Sequence, residues 1–264
     1  MAVKSAIEVL KIDAPKIAGY LEQWIRDQLK ERGYTKLAVG VSGGVDSAVV
    51  VTLAARAVGP ENVTGVVLPY DNVDPESIQD AESMIRKLRI SRRFVDIAPM
   101  VDPYFKTNPT DDRVRKGNKM ARERMSVLYD ISREATALVI GTSNRSEICM
   151  GYGTLYGDLA CAFNPIGNLY KTQVRQLAEY LGVERQIIDK IPTAGLWPGQ
   201  TDEGELGITY RELDILLHFM MDEKYSNQKL KEMGYQESII NMVKERIAKN
   251  IFKGRLPAIA PIPK

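Results

Sequence analysis

One short stretch most constrains the fold of this chain. It consists of Gly40-Val41-Ser42-Gly43-Gly44-Val45-Asp46-Ser47. The apolar run Leu37–Val39 leads into it and predicts a buried strand, and the small apolar run Ala48–Ala55 behind it predicts a helix. Paired glycines at such a junction let backbone N–H groups point into one concavity, and the helix adds its positive N-terminal end. The stretch therefore predicts a loop that holds an oxyanion or a phosphate.

The side chains of this loop narrow the choice of ligand. Ser42 and Ser47 offer hydroxyl groups, whereas the carboxylate of Asp46 would repel a phosphate unless a cation lay between them. Mg²⁺ takes oxygen ligands from one or two carboxylates plus substrate phosphates, so Asp46 indicates a magnesium nucleotide. No lysine follows the glycines, which excludes a Walker A loop, and the spacing is not G-x-G-x-x-G. A plain glycine turn with a solvated aspartate is the alternative, and the flanking strand and helix disfavour it.

Strands alternate with helices along the chain. Further strands are predicted at Val63–Leu68, Phe94–Ile97 and Ala137–Ile140. Helices are predicted at about 13–32, 45–58, 74–88, 119–134, 171–181, 210–221, 227–233 and 236–249. This order predicts an α/β fold, a doubly wound parallel sheet flanked by helices and Rossmann-like in type. Ligands of such sheets bind at the carboxyl ends of the strands, where a second polar loop, Gly141–Glu147, also begins.

Several charged side chains are candidates for this site. Glu147 is a possible second magnesium ligand, with a surface glutamate as the alternative. Lys171 opens a predicted helix, where a cation is unfavourable unless a phosphate binds, although a solvated lysine fits equally well. Arg122 and Arg124 could grip an anionic substrate or form a solvated helix face. The single histidine, His218, lies in an apolar helix, so no Ser–His or Cys–His nucleophile pair is recognisable.

Composition excludes some classes of protein. The 36 Lys+Arg against 34 Asp+Glu leave a formal charge of +2, too balanced to indicate a nucleic-acid partner. No apolar run reaches the roughly 18 residues of a membrane helix, and the N-terminal residues do not form a signal-peptide pattern. The 2 cysteines make neither C-x-x-C nor a zinc set. We therefore expect a cytoplasmic protein without membrane or nucleic-acid partners.

The motif S-G-G-x-D-S resembles the pyrophosphate loop of the N-type ATP pyrophosphatases, which cut ATP between the α and β phosphates. An ordered series of further motifs narrows the resemblance, and its members are Gly141–Glu147, Gly151–Thr154, Tyr156–Asp158, Asn164–Gly167, Leu169–Val174, Pro192–Ala194 and Gln200–Glu203. Together they resemble the ammonia-dependent NAD synthetases from about Val39 to Tyr210, with weaker similarity to Pro257. The resemblance implies an adenine nucleotide alpha hydrolase-like fold and one domain over 1–264. Its nucleotide-binding core would span about 34–182 and its helical C-terminal portion about 208–250.

The resemblance also implies a reaction. Nicotinic acid adenine dinucleotide (deamido-NAD) would be amidated by ammonia through an adenylated carboxylate, giving NAD, AMP and pyrophosphate in the last step of NAD biosynthesis. The implied site residues are Gly40, Val41, Ser42, Gly43, Gly44, Val45, Asp46, Ser47, Thr142, Lys171 and Thr193 for ATP, Asp46 and Glu147 for Mg²⁺, Arg122 and Lys253 for deamido-NAD, and Asp46 and Lys171 as catalytic groups. A homodimer is implied as well. Ammonia would come from solution or from a separate glutaminase.

The chain departs from the family pattern at Leu155, Ala162 and Phe252, where the family often has lysine, aspartate and histidine. All three positions belong to the dinucleotide side, and the ATP side is intact. The glycine-rich loop Thr193–Gly207 is predicted to be mobile and to close over the adenylate. Two rival functions stay open: another ATP pyrophosphatase, such as a tRNA-modifying enzyme, and a non-enzymatic adenine-nucleotide sensor.

Overall fold

A computed structural model describes residues 8–70, 75–197 and 199–262. Its centre is a four-stranded sheet in the order β3-β2-β1-β4. The strands are β1 (Lys36–Gly40), β2 (Val63–Val67), β3 (Ser91–Phe94) and β4 (Ala137–Val139). All pairs are parallel, and Leu37 of β1 lies between Val63 of β2 and Leu138 of β4. The predicted α/β fold with a parallel sheet is confirmed.

Helices connect and cover these strands. Those of the nucleotide-binding half are α1 (Ala14–Arg32), α2 (Val45–Val58), α3 (Pro75–Leu88), α4 (Ala98–Thr107), α5 (Arg113–Glu134), α6 (Arg145–Met150), α7 (Lys171–Tyr180) and α8 (Arg185–Asp189). Those that follow are α9 (Asp202–Leu206), α10 (Tyr210–Leu217), α11 (Asn227–Glu232) and α12 (Glu237–Asn250), with a π turn at His218–Asp222 and short 3-10 turns at Glu8–Leu10, Pro60–Asn62 and Ile251–Gly254. No helix in the described part of the chain is both long and apolar enough to cross a bilayer.

Alternation along β1 explains why helices cover both faces of the sheet. Leu37 and Val39 are buried in a large cluster that includes α1, α2, α7 and α8, whereas Ala38 points to the other face. There it packs with Leu128 and Ile131 of α5. A strand buried on both faces has a continuous apolar sequence, which is how β1 was recognised. The C-terminal helices α10, α11 and α12 bury a separate apolar cluster.

Several helices begin or end at the residues predicted from the sequence. Asp13 caps α1 by accepting the Lys16 N–H, and Gly33 ends the helix in the left-handed conformation. The start of α7 at Lys171 also agrees with the prediction. The predicted start of the third helix at Asp74 lies outside the described residues, and α3 is described from Pro75 onward.

Some element boundaries predicted from the sequence are wrong. The third strand occupies Ser91–Phe94 rather than 94–97, and all four of its residues are exposed on the edge of the sheet, so apolar patterning could not locate it. The helix expected at 119 begins at Arg113, because Asp112 caps it by accepting the Arg115 N–H. The helix expected to end at 221 changes to the π turn after Leu217.

Candidate active site

The topology brings the two polar loops together. From β1 the chain moves through β2 to β3 on one side, and β4 then pairs with β1 on the other side. The order of the strands therefore reverses between β1 and β4, and a crevice opens at the carboxyl end of such a switch point. The loop after β1 leads to Asp46, and the loop after β4 leads to Asn144 and Glu147.

The first loop is held by its own serines. Ser47 Oγ donates to the Gly44 carbonyl at 2.9 Å and accepts the Ser42 N–H at 3.2 Å. Gly43 has a φ of +79°, which is unfavourable for other residues, and a Cβ there would lie 2.2 Å from the Ser77 carbonyl oxygen. Gly44 is the N-cap of α2 and makes no side-chain cap bond, so that residue supplies no side-chain acceptor to the first N–H groups of the helix. Gly44 and the first residues of α2 line the crevice, which is where an anion would meet a helix N-terminus.

Two carboxylates and one ammonium group meet in this crevice. Lys171 Nζ lies 2.5 Å from Asp46 Oδ2 and 3.2 Å from Glu147 Oε1. The other oxygen of Asp46 accepts a hydrogen bond from Asn144 Nδ2 at 2.9 Å. Asn144 also caps α6 together with Glu147 in a capping box, which fixes the position of the Glu147 side chain. Three side chains far apart in the sequence thus converge on one position.

Burial and charge act against each other in this cluster. Burial raises the pKa of the Glu147 carboxyl to about 8, although the Lys171 ammonium pulls it down. Burial disfavours the charge on Lys171, but the carboxylates of Asp46 and Glu147 outweigh it, so the pKa of Lys171 is raised above its ordinary value. The two carboxylates therefore favour the charged form of the lysine, and only 4% of its side chain is exposed.

The buried carboxyl group of Asp214 accepts hydrogen bonds from the first turns of α6 and α7, the helices that carry Glu147 and Lys171. Asp214 of α10 accepts a hydrogen bond from Ser146 Oγ at 2.5 Å and one from the Thr172 N–H at 2.8 Å. Ser146 Oγ in turn accepts the Lys171 N–H at 3.0 Å. Burial raises the pKa of Asp214 to about 6, although the hydrogen bonds from Ser146 and Thr172 oppose this. Asp214 thus fixes the residues that adjoin Glu147 and Lys171 in the chain.

Asp202 approaches the cluster from α9. It accepts hydrogen bonds from Tyr152 Oη at 3.0 Å and from Tyr210 Oη at 3.1 Å. The ring of Tyr210 lies 5.0 Å from Lys171 Nζ, a cation–π distance. Burial raises the pKa of Asp202, while Lys171 lowers it. Part of the loop predicted to be mobile is therefore a short helix that contributes to this charge cluster, and its mobility stays a prediction.

A cavity of about 590 Å³ contains the crevice. Most of the residues predicted to bind ATP or metal line it, namely Gly40, Val41, Ser42, Gly44, Val45, Asp46, Ser47, Thr142, Glu147, Lys171 and Thr193. Gly43 and Arg122 are absent from the lining. Among residues 8–70, 75–197 and 199–262, no group of three or more His, Cys, Asp or Glu side chains could hold a metal by itself. A magnesium ion here would need phosphate oxygens in addition to Asp46 and Glu147.

Of the two residues predicted to bind the dinucleotide, one lines the cavity and the other does not. Lys253 lines the cavity, and its Nζ donates to the carbonyls of Gly151 and Gly153 at 2.8 and 3.0 Å. Arg122 is exposed and donates to the Leu155 carbonyl at 3.2 Å. The cavity wall contains Arg124 instead, which is half-buried and donates to the Leu68 carbonyl.

Sequence reasoning did not identify several residues of the site. Asn144 was part of a quoted motif, and its position three residues before Glu147 is a capping-box signal that could have shown its role. Asp202 lies in the family motif Gln200–Glu203, but the motif did not indicate its contacts with Tyr152 and Tyr210. Asp214 had no local signal, because its partner Ser146 lies 68 residues away. The sequence could not show which of Arg122 and Arg124 lines the cavity, since both lie on the same helix.

These features define an α/β protein with a glycine loop and a buried charge cluster at the switch point of a parallel sheet. The NAD synthase family model matches residues 17–257. The NH(3)-dependent NAD(+) synthetase of Trichlorobacter lovleyi is 46% identical over 253 residues, which are 96% of this chain and 93% of the relative. The chain belongs to the NAD synthase family.

Solved structures agree with this membership. The NMN synthetase from Francisella tularensis aligns with a TM-score of 0.84 at 34% identity, covering 95% of this chain and 99% of that one. The NH3-dependent NAD synthetase from Campylobacter jejuni, in complex with the nitrate ion, aligns with a TM-score of 0.82 at 36% identity, covering 95% and 100%.

Proposed function

We propose that this protein is an ammonia-dependent ligase that amidates deamido-NAD at the expense of ATP. The observation that carries the proposal is the contact of Lys171 Nζ with both Asp46 and Glu147, at 2.5 and 3.2 Å, beside a glycine loop that can hold phosphates. Family membership supports ATP use. The relative from Trichlorobacter lovleyi is named an NH(3)-dependent NAD(+) synthetase.

The chemistry consists of two displacements. The nicotinate carboxylate attacks the α-phosphorus of ATP, and pyrophosphate leaves. Ammonia then attacks the adenylated carboxyl carbon and displaces AMP, which gives the amide. The N–H groups of the first turn of α2 and the Lys171 ammonium would neutralise the charge that develops on the leaving pyrophosphate. No enzyme nucleophile takes part, so the residues act by binding and orienting the reactants.

Asp46 and Glu147 fit Mg²⁺, because their oxygens already converge on one cation, Lys171. Bound Mg²⁺ supplies neutralisation of the phosphate charge. Thr142 and Thr193 line the same cavity and would contact the nucleotide. We expect Asp46→Ala and Glu147→Ala to abolish most turnover at saturating Mg²⁺, and near-normal turnover of both variants would contradict the metal assignment.

The proposal is tested with ATP, Mg²⁺, ammonium and deamido-NAD in one reaction. Equal amounts of NAD and AMP support it. Pyrophosphate release that requires tRNA instead of the dinucleotide would identify another ATP pyrophosphatase, and nucleotide binding without turnover would identify a sensor. Glutamine is expected not to replace ammonium unless a separate glutaminase is added.

A mononucleotide is the second candidate acceptor. The neighbour from Francisella tularensis is named an NMN synthetase, and its TM-score of 0.84 is close to the 0.82 of the NAD synthetase from Campylobacter jejuni. The chain also departs from the NAD synthetase pattern at Leu155, Ala162 and Phe252, on the dinucleotide side. Nicotinic acid mononucleotide presents the same carboxylate without the AMP half. A higher kcat/KM with the mononucleotide than with deamido-NAD would reassign the substrate.

The remaining expectations concern assembly and location. A single domain over 1–264 and a homodimer with dinucleotide pockets at its interface stay proposals, and light scattering of the purified protein tests the dimer. Arg122, exposed on α5, would face such an interface and bind the dinucleotide there together with Lys253. A cytoplasmic location remains a prediction that fractionation tests.

A further inference from the structure

A second lysine adjoins the phosphate loop, and the function proposed above does not use it. Lys190 follows α8 and lines the same cavity as Ser42, Gly44 and Thr193. Its Nζ forms an ion pair with Asp80 of α3 and donates to Ser77 Oγ at 3.3 Å. About 18% of the Lys190 side chain is exposed, whereas Asp80 is buried.

The position of Ser77 connects this lysine to the loop. The Ser77 carbonyl oxygen packs so closely on Gly43 that a Cβ on the glycine would lie 2.2 Å from it. The ammonium group of Lys190 is therefore one residue away from the glycines that are predicted to hold phosphates. Lys171 contacts the same loop at Asp46. The loop thus has one ammonium group in contact with Asp46 and a second that contacts the neighbour of Gly43, Ser77.

The ion pair between Lys190 and Asp80 can separate without leaving the Asp80 carboxylate unpaired. Asp80 Oδ1 also accepts a hydrogen bond from Gln186 Nε2 at 2.7 Å. If Lys190 moves to a phosphate, the carboxylate keeps this partner and is not left unpaired, which lowers the cost of the exchange. A lysine is suited to such a movement, since its charge lies at the end of a flexible stem.

We propose that Lys190 is a second phosphate-binding cation, which Asp80 holds in the empty site and which transfers to the β- and γ-phosphates of ATP, and then to the pyrophosphate product. This proposal rests on ATP cleavage by the proposed function, but not on the identity of the acceptor. An alternative explanation is that Lys190 and Asp80 form a purely structural ion pair between α8 and α3. The two explanations predict different results when the partners are removed one at a time.

Binding of inorganic pyrophosphate in the presence of Mg²⁺, measured by calorimetric titration without any dinucleotide, tests the proposal. Lys190→Met should weaken binding by about tenfold or more, because a charged hydrogen bond to phosphate is lost. Asp80→Asn should leave binding unchanged or tighten it, since it removes the carboxylate that competes with phosphate for the lysine. Lys87→Met serves as the control, because Lys87 on α3 is outside the cavity lining and donates to the Gly182 carbonyl.

A double variant keeps the test decisive if Lys190→Met leaves Asp80 too poorly paired to fold. Asp80→Asn combined with Lys190→Met removes both charges, and we expect it to bind pyrophosphate as weakly as the single lysine variant. Equal weakening by Asp80→Asn and Lys190→Met would show a structural pair and overturn the proposal. Unchanged binding in the double variant would overturn it as well. Failure of amidation with deamido-NAD would contradict the proposed function and leave this binding result standing.

Discussion

Asp214 allows a prediction whose magnitude follows from its burial. It is fully buried and accepts hydrogen bonds from Ser146 and Thr172, yet its pKa is raised to about 6 by burial. In an unfolded chain an aspartate has a pKa of about 3.9. The folded carboxyl therefore binds its proton more tightly than the unfolded one. Its ionisation opposes folding progressively as the pH rises from about 4 to about 7, and it has no such effect below that window.

The variant Asp214→Asn keeps the shape of the side chain but cannot ionise. The free energy of unfolding depends on pH through the difference between the folded and unfolded pKa values of this group. Integrated between about pH 4.5 and pH 7.5, that dependence lowers the free energy of unfolding of the wild-type protein by about 2 kcal/mol. The variant loses a hydrogen-bond acceptor, so it should be less stable at acid pH. The difference in free energy of unfolding between the wild type and Asp214→Asn should then decrease by about 2 kcal/mol between about pH 4.5 and pH 7.5.

Urea unfolding at a series of pH values measures this difference by linear extrapolation. Glu212→Gln, which changes an exposed carboxyl on the same helix, controls for the removal of a negative charge from α10. Stability curves of Asp214→Asn and wild type that run parallel would show that the fold does not oppose ionisation of Asp214. A disadvantage that grows with pH would show that the hydrogen bonds outweigh burial, which reverses the reasoning.

Three further predictions concern the loop and the cavity. Lys171→Met should lower kcat by roughly a hundredfold to a thousandfold in steady-state assays of product formation, because the fixed cation at the leaving group is lost. Gly43→Ala should abolish most ATP affinity in calorimetric titration, since the added Cβ would meet the Ser77 carbonyl. Gly182→Ala is the control, because Gly182 is also at positive φ but has open space around it. This control variant should lose about 1 kcal/mol of stability and keep its ATP affinity. Lys253→Met, which frees two loop carbonyls, should raise KM for the acceptor while KM for ATP stays the same. Equal changes in both KM values would contradict the last assignment.

The sheet and its first loop were predictable because their signals are local. β1 is buried on both faces, so its sequence is continuously apolar, and the glycines follow it directly. β3 was misplaced because an exposed edge strand has no apolar periodicity, and its sequence Ser91–Phe94 contains two arginines. No helix is predicted from the sequence at Ala98–Thr107, because Pro103 lies inside α4 and proline is unfavourable in the interior of a helix.

The predicted site depended on topology as well as on motifs. Polar loops after neighbouring parallel strands must meet at one edge, so Asp46 and Glu147 could be placed near each other before their distance was known. Their supporting residues could not be predicted this way. Asp214 and Asp202 reach the cluster from helices that pack against it in the folded chain, and no spacing in the sequence encodes such contacts.

The charges of the cavity favour joint binding of a nucleotide and a cation. Lys171 faces Asp46 and Glu147 directly, and the Asp202 carboxylate also raises its pKa, so three acidic groups share one buried ammonium. ATP would add several negative charges to this partly enclosed space. Two like charges about 4 Å apart repel by about 4 kcal/mol at an effective dielectric constant of about 20. Under the proposed function, Mg²⁺ held by Asp46, Glu147 and the phosphates of ATP would add positive charge to that of Lys171, and Lys190, which contacts Ser77 next to Gly43, would add more. It follows that ATP without Mg²⁺ should bind weakly, and that Lys190→Met should increase the Mg²⁺ concentration needed for half-maximal ATP binding.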